Sequence, residues 1–341
     1  MNELINGYLS KISTRAFYSF PNRTKEIVNI EKVYACISSS KFRKTHIDDE
    51  SRVDIYNKIQ YCLDRKQPLA FSLPFGAYKS WRLNLDFRPD WAEVFNMSFL
   101  TEYAAHIMTE YPYGVQFMYT YQDNIMHFVN DIPRNKADQY VVDFKKLLGV
   151  FNRVHPLLHF GIIKINEMYN NPEEYFIDFL GCFLDNLIFW EEKYDDATKQ
   201  KRLTSSSHNI YPSGIRNIYE REKSIQDKYI YYSALMTDAV ENLKERRKYN
   251  KNQEKIQLVG VRGPSKSINI GACSTSTVHF WVGQGCLCYK KGRLMPYVFT
   301  YSTMEKIFVG KNYDIVEVNQ NAFSDISNNY NSIIYVNEYK T

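Results

Sequence analysis

The sequence predicts an α/β fold: a mostly parallel sheet flanked by helices, with a C-terminal strand-rich extension. Three observations predict it. Between residues 68 and 148 short apolar runs alternate with helically spaced stretches, the pattern of βα units that build parallel sheets. From Lys255 onward the texture changes to a succession of short strand-like runs. The chain has 341 residues, 44% of them hydrophobic and 24% charged, which is enough for substantial cores. Only 14 Gly and 11 Pro are present, which excludes collagenous and linker-dominated architectures.

The first sixty-odd residues read as helical, with Ile27, Val28, Ile30, Val33 and Tyr34 on one stretch and Val53, Ile55, Ile59 and Leu63 on the next. Pro68 to Pro74 is an apolar run bounded by prolines, which suits a buried strand ending at a loop. Asp90 then offers an N-cap, and Glu93 stands three residues on, so the pair predicts a capping box for a helix running to about Tyr111. Tyr113 to Tyr121 has the alternation and aromatic content of a second strand, ending at the turn formers Gln122, Asp123 and Asn124. After Pro133 a helix carries Tyr140, Phe144, Leu147 and Leu148 on one side. In such sheets ligands bind beyond the carboxyl ends of the strands, so the loops after Pro74 and Tyr121 lie on the functional rim.

Residues 173 to 250 read as helical again, broken by the polar segment Thr204 to Ser213. Further strands are expected at Ile256 to Val261, Thr277 to Val282, Leu294 to Phe299 and Tyr313 to Val318. The Asn- and Ser-rich last twenty residues, with Ile333 to Val336, are expected to form an edge strand or a frayed tail.

The net charge of +5 is too mild to announce nucleic acid or membrane, and it permits an anionic small molecule. The basic run around Lys244, Arg246, Arg247 and Lys248 reads as a solvated helix end. No signal peptide is visible, no window approaches a membrane span, and the six scattered cysteines read as reduced thiols, so the expected location is cytoplasmic. Gly-x-Gly-x-x-Gly, P-loop, His-Glu-x-x-His and Gly-x-Ser-x-Gly motifs are all missing. His155 and His159 flank a proline, and Cys286 and Cys288 are spaced more tightly than the usual zinc pair. Both sets read as structural, and no metal is expected.

The most informative stretch is Leu73-Pro74-Phe75-Gly76-Ala77-Tyr78-Lys79, followed by Pro89-Asp90-Trp91-Ala92-Glu93. A strand delivers a lysine to the rim and an acidic helix start follows. This combination supplies a cation for an anionic group, free backbone donors, and carboxylates able to bind an amine.

On these motifs the sequence resembles the pyoverdine/dityrosine biosynthesis family, whose bacterial members are isonitrile (isocyanide) synthases. Family members carry a strand ending in a Leu-Pro-x-Phe-Pro-x-Lys-like loop and then a Pro-Asp-x-x-Glu helix start. The later counterparts here are Tyr113-Gly114, Asp123-Asn124, Tyr140 at its helix, the strand from Ile256 to Arg262, and Ser276-Thr277-Val278-His279. The departures are Gly76-Ala77 in place of Phe-Pro, Asn124 in place of Gly, Thr-Val in place of Pro-Trp, and no counterpart of the histidine that the family carries in the strand before it.

The resemblance implies a Rossmann-like sheet and a reaction without cofactor or metal. In that reaction the amine of an aromatic amino acid condenses with the ketone of ribulose 5-phosphate, and the product is commonly passed to an iron- and 2-oxoglutarate-dependent oxygenase. The expected catalytic residues are His279 as general acid/base, Lys79 and Asp123. Arg82, Asp90, Glu93 and Arg262 are expected to bind substrate, with the cations near phosphate or carboxylate and the carboxylates orienting the amine or sugar hydroxyls. Three parts are expected: a helical lead-in over 1–66, a Rossmann-like core over 67–254 with a helical insertion at about 173–250, and a strand-rich part over 255–341 that completes the sheet and site. Two alternatives stand beside this reading: a small-molecule-binding protein on the same fold, and a different Rossmann-like transferase.

Overall fold

The structure is a computed structural model. It describes residues 2–337 apart from 19, 22–26, 77–78, 80–87, 122–131, 208–221, 253, 260–266, 272–279, 281–282, 291 and 320. Three helices lead in, α1 (Asn2–Tyr18), α2 (Ile30–Ile37) and α3 (Asp49–Asp64). The first βα units follow as β1 (Leu69–Phe75), α4 (Trp91–Met108), β2 (Val115–Tyr121), α5 (Arg134–Phe151) and β3 (Leu158–Lys164). Helices α6 (Pro172–Lys193), α7 (Asp196–Ser207), α8 (Lys223–Asn242) and α9 (Lys244–Asn252) precede β4 (Ile256–Val259) and β5 (Ser267–Asn269).

These five strands form one all-parallel sheet in the order β3-β2-β1-β4-β5, which is the Rossmann-like arrangement the sequence predicts. The order reverses between β1 and β4, so the loop after β1 emerges at the crevice such sheets use for ligands. Gly114, at φ +92°, opens β2. A Cβ there would stand 2.4 Å from the Leu157 carbonyl, so only glycine fits this crossing.

A second, mixed sheet follows. It is built from β6 (Gly283–Lys290), β7 (Arg293–Thr300), β8 (Tyr313–Glu317) and β9 (Ser332–Asn337) in the order β7-β6-β9-β8, with α10 (Tyr301–Val309) between β7 and β8. The two sheets share one core because α4 stands between them. It is apolar nearly all round, and such a helix is stable only when buried on every side. On the opposite face of the mixed sheet, Cys286, Cys288, Tyr297 and Phe299 pack with Met304 and Ile307 of α10. Cys286 and Cys288 therefore share a buried face by strand alternation.

Several expectations change. Ile333 to Val336 are not in an edge strand: β9 lies inside its sheet, paired parallel to β6 and antiparallel to β8, and residues 338–341 lie outside the described residues. Strands β3 and β6 and helix α10 were not expected, because Gly161 interrupts the first and Gly, Cys and Lys dilute the second. The predicted break does not include Thr204 to Ser207, which lie in α7. Thr204 and Ser207 turn their hydroxyls onto carbonyls of their own helix, and Ser206 bonds the Ser233 hydroxyl at 3.0 Å. Residues 208–213 lie outside the described residues, as does the predicted strand at 277–282 apart from Phe280. Among the described residues no helix is long and apolar enough to cross a membrane.

Candidate functional site

β1 runs parallel between β2 and β4 and ends at Phe75, and Lys79 follows four residues later. The helix that returns from this rim, α4, begins with the capping box the sequence predicts. Asp90 Oδ1 accepts from the Ala92 N–H at 2.8 Å, and Glu93 Oε2 accepts from the Asp90 N–H at 2.7 Å. The same two carboxylates hold the lysine. Lys79 Nζ lies 2.9 and 3.1 Å from the two Glu93 oxygens and 3.1 Å from Asp90 Oδ1, and it donates to the Phe280 carbonyl at 3.3 Å. An ammonium has three donors, so Glu93, Asp90 and Phe280 occupy them all.

Two further chains of contact fix the carboxylates. Tyr140, from α5, donates its hydroxyl to Glu93 Oε1 at 2.7 Å. The Gly285 N–H, from β6, donates to Asp90 Oδ1 at 3.2 Å. A Cβ on Gly285 would fall 2.1 Å from the Ala92 nitrogen, so the strand reaches the helix end only because residue 285 has no side chain. One turn further along α4, Asn96 accepts from the Tyr119 hydroxyl at 2.6 Å.

The cluster is closed to solvent, with Lys79 and Glu93 both 0% exposed and Asp90 2%. Burial by itself would strip the proton from Lys79, but the charges of Asp90 and Glu93 outweigh it and hold the ammonium above its ordinary pKa. Glu93 moves the other way. Burial, reinforced by the negative charge of Asp90, overrides Lys79 and Tyr140 and raises it to about 7. The phenols of Tyr119 and Tyr140 are pushed well above their ordinary value by burial and by the charge of Glu93. The result is a fixed ammonium, neutral phenols as donors, and one carboxyl that exchanges its proton near neutrality.

An aromatic wall adjoins this cluster. The Phe75 ring stacks on Phe144 at 4.4 Å and lies within 6.0 Å of the rings of Tyr119, Tyr121, Tyr140 and Phe280. The structure therefore brings together Lys79, Asp90 and Glu93 of the sequence-derived set. Arg82, Asp123, Arg262 and His279 lie outside the described residues. Gly285, Asn96 and the Phe280 carbonyl belong to no local motif, so nothing in the sequence marks them. Tyr140 was legible only as a motif counterpart, without its partner. Among the described residues no group of three or more His, Cys, Asp or Glu is placed to hold a metal.

No protein-family model and no curated protein matches the sequence. In three dimensions the chain is similar to the crystal structure of the PvcA protein from Pseudomonas aeruginosa. That likeness has a TM-score of 0.64 at 15% identity and covers 89% of this chain and 99% of that one. A CDPS structure from Fluoribacter dumoffii aligns over 66% of this chain and 85% of its own at 11% identity, with a TM-score of 0.32, a likeness too slight to bear on the fold. The likeness to PvcA is one of fold, and it agrees with the motif pattern in the sequence.

Proposed function

We propose that the protein is an isonitrile synthase-like enzyme that joins the α-amine of an amino acid, an aromatic one in the first place, to ribulose 5-phosphate. The observation that carries this reading is the buried Lys79–Asp90–Glu93–Tyr140 cluster at the carboxyl end of β1, beside a wall of aromatic rings. The fold shared with PvcA supports it. A buried ion cluster adds little net stability, because taking each charge out of water costs several kcal/mol. Its use is to hold donors and acceptors rigidly where charge and protons move.

The first bond-making step has stated requirements. The neutral amine attacks the ketone carbon with its lone pair, the carbonyl π pair moves to oxygen, that oxygen takes a proton, and the nitrogen, made cationic by the attack, gives one proton up to a base, which leaves a neutral carbinolamine. The carbinolamine hydroxyl then leaves as water, protonated by an acid, while the nitrogen gives up its remaining proton and forms C=N. Glu93, titrating near neutrality, suits the holding and release of one such proton. In this reading His279 serves as the second acid/base. Its neighbour in the chain, Phe280, accepts from Lys79. Lys79, with its donors occupied, acts as counter-ion to the carboxylates, and the guanidinium groups of Arg82 and Arg262 receive phosphate, with Asp123 on the sugar hydroxyls.

The test is incubation with Tyr, Trp and the other amino acids plus ribulose 5-phosphate, read by mass spectrometry. A product with one more carbon and two fewer hydrogens than the amino acid is expected. Absence of such a product with every amino acid, together with no thermal shift by the sugar phosphate, would remove the reading. The motif departures at Gly76-Ala77 favour one alternative, a binding protein on the same fold. Stabilisation by a ligand without turnover identifies that case.

A further inference from the structure

Two buried polar atoms make no hydrogen bond among the described residues: Asp90 Oδ2, in the lysine cluster, and the Tyr330 hydroxyl. Neither group is at the surface, with Asp90 2% and Tyr330 0% exposed. The chain ties them to one neighbourhood from both sides. Asn329, just before Tyr330, donates its side-chain amide to the carbonyl of Pro89, just before Asp90, at 3.2 Å. Trp91, just after Asp90, donates its indole N–H to the carbonyl of Ser332 at 2.8 Å. Between these clamps the Tyr330 ring meets Trp91 edge-on at 5.8 Å and Phe323 at 5.8 Å.

A buried donor and a buried acceptor left without partners destabilise the fold, and most such atoms in folded chains are paired. Here Asp90 Oδ2 belongs to a pair of carboxylates that shares one ammonium, and the Tyr330 phenol lies in the field of both, so a negative charge is left over whenever Glu93 is ionised. That field favours a cationic or N–H-bearing group. Burial and the charges of Glu93, Asp90 and Asp143 keep the Tyr330 phenol protonated. Its oxygen can accept one N–H, or its proton can meet a ligand carboxylate.

We infer that Asp90 Oδ2 and the Tyr330 hydroxyl form a subsite for a primary amine, with Tyr330 a ligand-contacting residue supplied by the C-terminal segment. The inference rests on the amino-acid reading above and names the atoms that receive the amine.

Tyr330→Phe keeps the ring contacts and removes only the hydroxyl. Thermal melts of wild type and variant are run alone and with each of the common L-amino acids. They are repeated with the decarboxylated amine and the des-amino acid of whichever amino acid shifts most. The variant alone is expected to melt at or above the wild-type temperature, because no internal bond is lost. The amino acid and its amine stabilise wild type, the des-amino acid does not, and the apparent affinity of the variant falls by at least about tenfold, the scale of one lost hydrogen bond.

Equal ligand shifts in both proteins, no shift of wild type by any probe, or a variant that melts several degrees lower without ligand each overturns the subsite. Turnover with ribulose 5-phosphate is scored separately. Amine-dependent stabilisation lost in the variant, without isonitrile from wild type, keeps the subsite and removes the reaction. Equal turnover by both proteins does the reverse.

Discussion

A carboxylate 2.9 Å from an ammonium ordinarily sits well below its solution pKa, yet Glu93 rises to about 7. The reason is arithmetic of charge. Asp90 and Glu93 share Lys79, all three are buried, and one ammonium cannot compensate the desolvation of two carboxylates. The sign of the pH effect follows. Between its ordinary 4.5 and about 7 the folded chain keeps a proton on Glu93 that the unfolded chain has lost. The stabilising contribution is therefore full below 4.5 and is lost as pH rises through about 7. In melts at about pH 5 and about pH 8, wild type should lose a few °C relative to Glu93→Gln, which carries no titrating group at this position. A wild-type minus Gln difference that stays flat over that range shows that Glu93 does not titrate there.

At the scale of elements, the site depends on how closely β6 approaches the first turn of α4. A Cβ at residue 285 would meet backbone atoms, 2.1 Å from the Ala92 nitrogen and 2.5 Å from the Trp91 carbonyl carbon, and backbone cannot rotate aside. Gly285→Ala is expected to push strand from helix, break the N–H bond to Asp90 and cost about 1–3 kcal/mol in urea unfolding. Gly149→Ala, inside α5 with open space around it, is the matched control and should be neutral or stabilising by about 0.5–1 kcal/mol. An equal effect of both substitutions would show that the close approach is unimportant. This contrast also shows what was legible. The capping box at Asp90 and Glu93, the strand before Lys79 and the alternation of strand and helix are local patterns, and each appears where the sequence puts it. The contacts of Phe280, Gly285 and Tyr330 with residues near position 90 span some two hundred positions, and no periodicity or motif encodes such pairings. Strand β6 is held by neighbours on both sides rather than by its own Gly- and Cys-bearing composition, which is why its propensity was silent.

Across the whole molecule, the two sheets and the lead-in helices share a continuous core, whereas the helices after β3 pack around separate clusters. Trp190 with Ala234 and Leu235 forms one, and Tyr175 with Ile165, Val240 and Leu243 forms another. Local stability follows such partitions. In native-state hydrogen exchange, amides of α6, α7 and α8 should therefore exchange as a unit ahead of those of α4, β1 and β2, and a single common rate for both groups would refute the partition. The division has a counterpart in the order of synthesis. The parallel sheet is complete once residue 269 has left the ribosome, but the glycine that braces Asp90 and the tyrosine beside it arrive only with residues 285 and 330. A nascent chain halted between these points carries all five strands of the parallel sheet but neither the glycine that braces Asp90 nor the tyrosine beside it, so the acid cluster stays unfinished until translation has reached the mixed sheet.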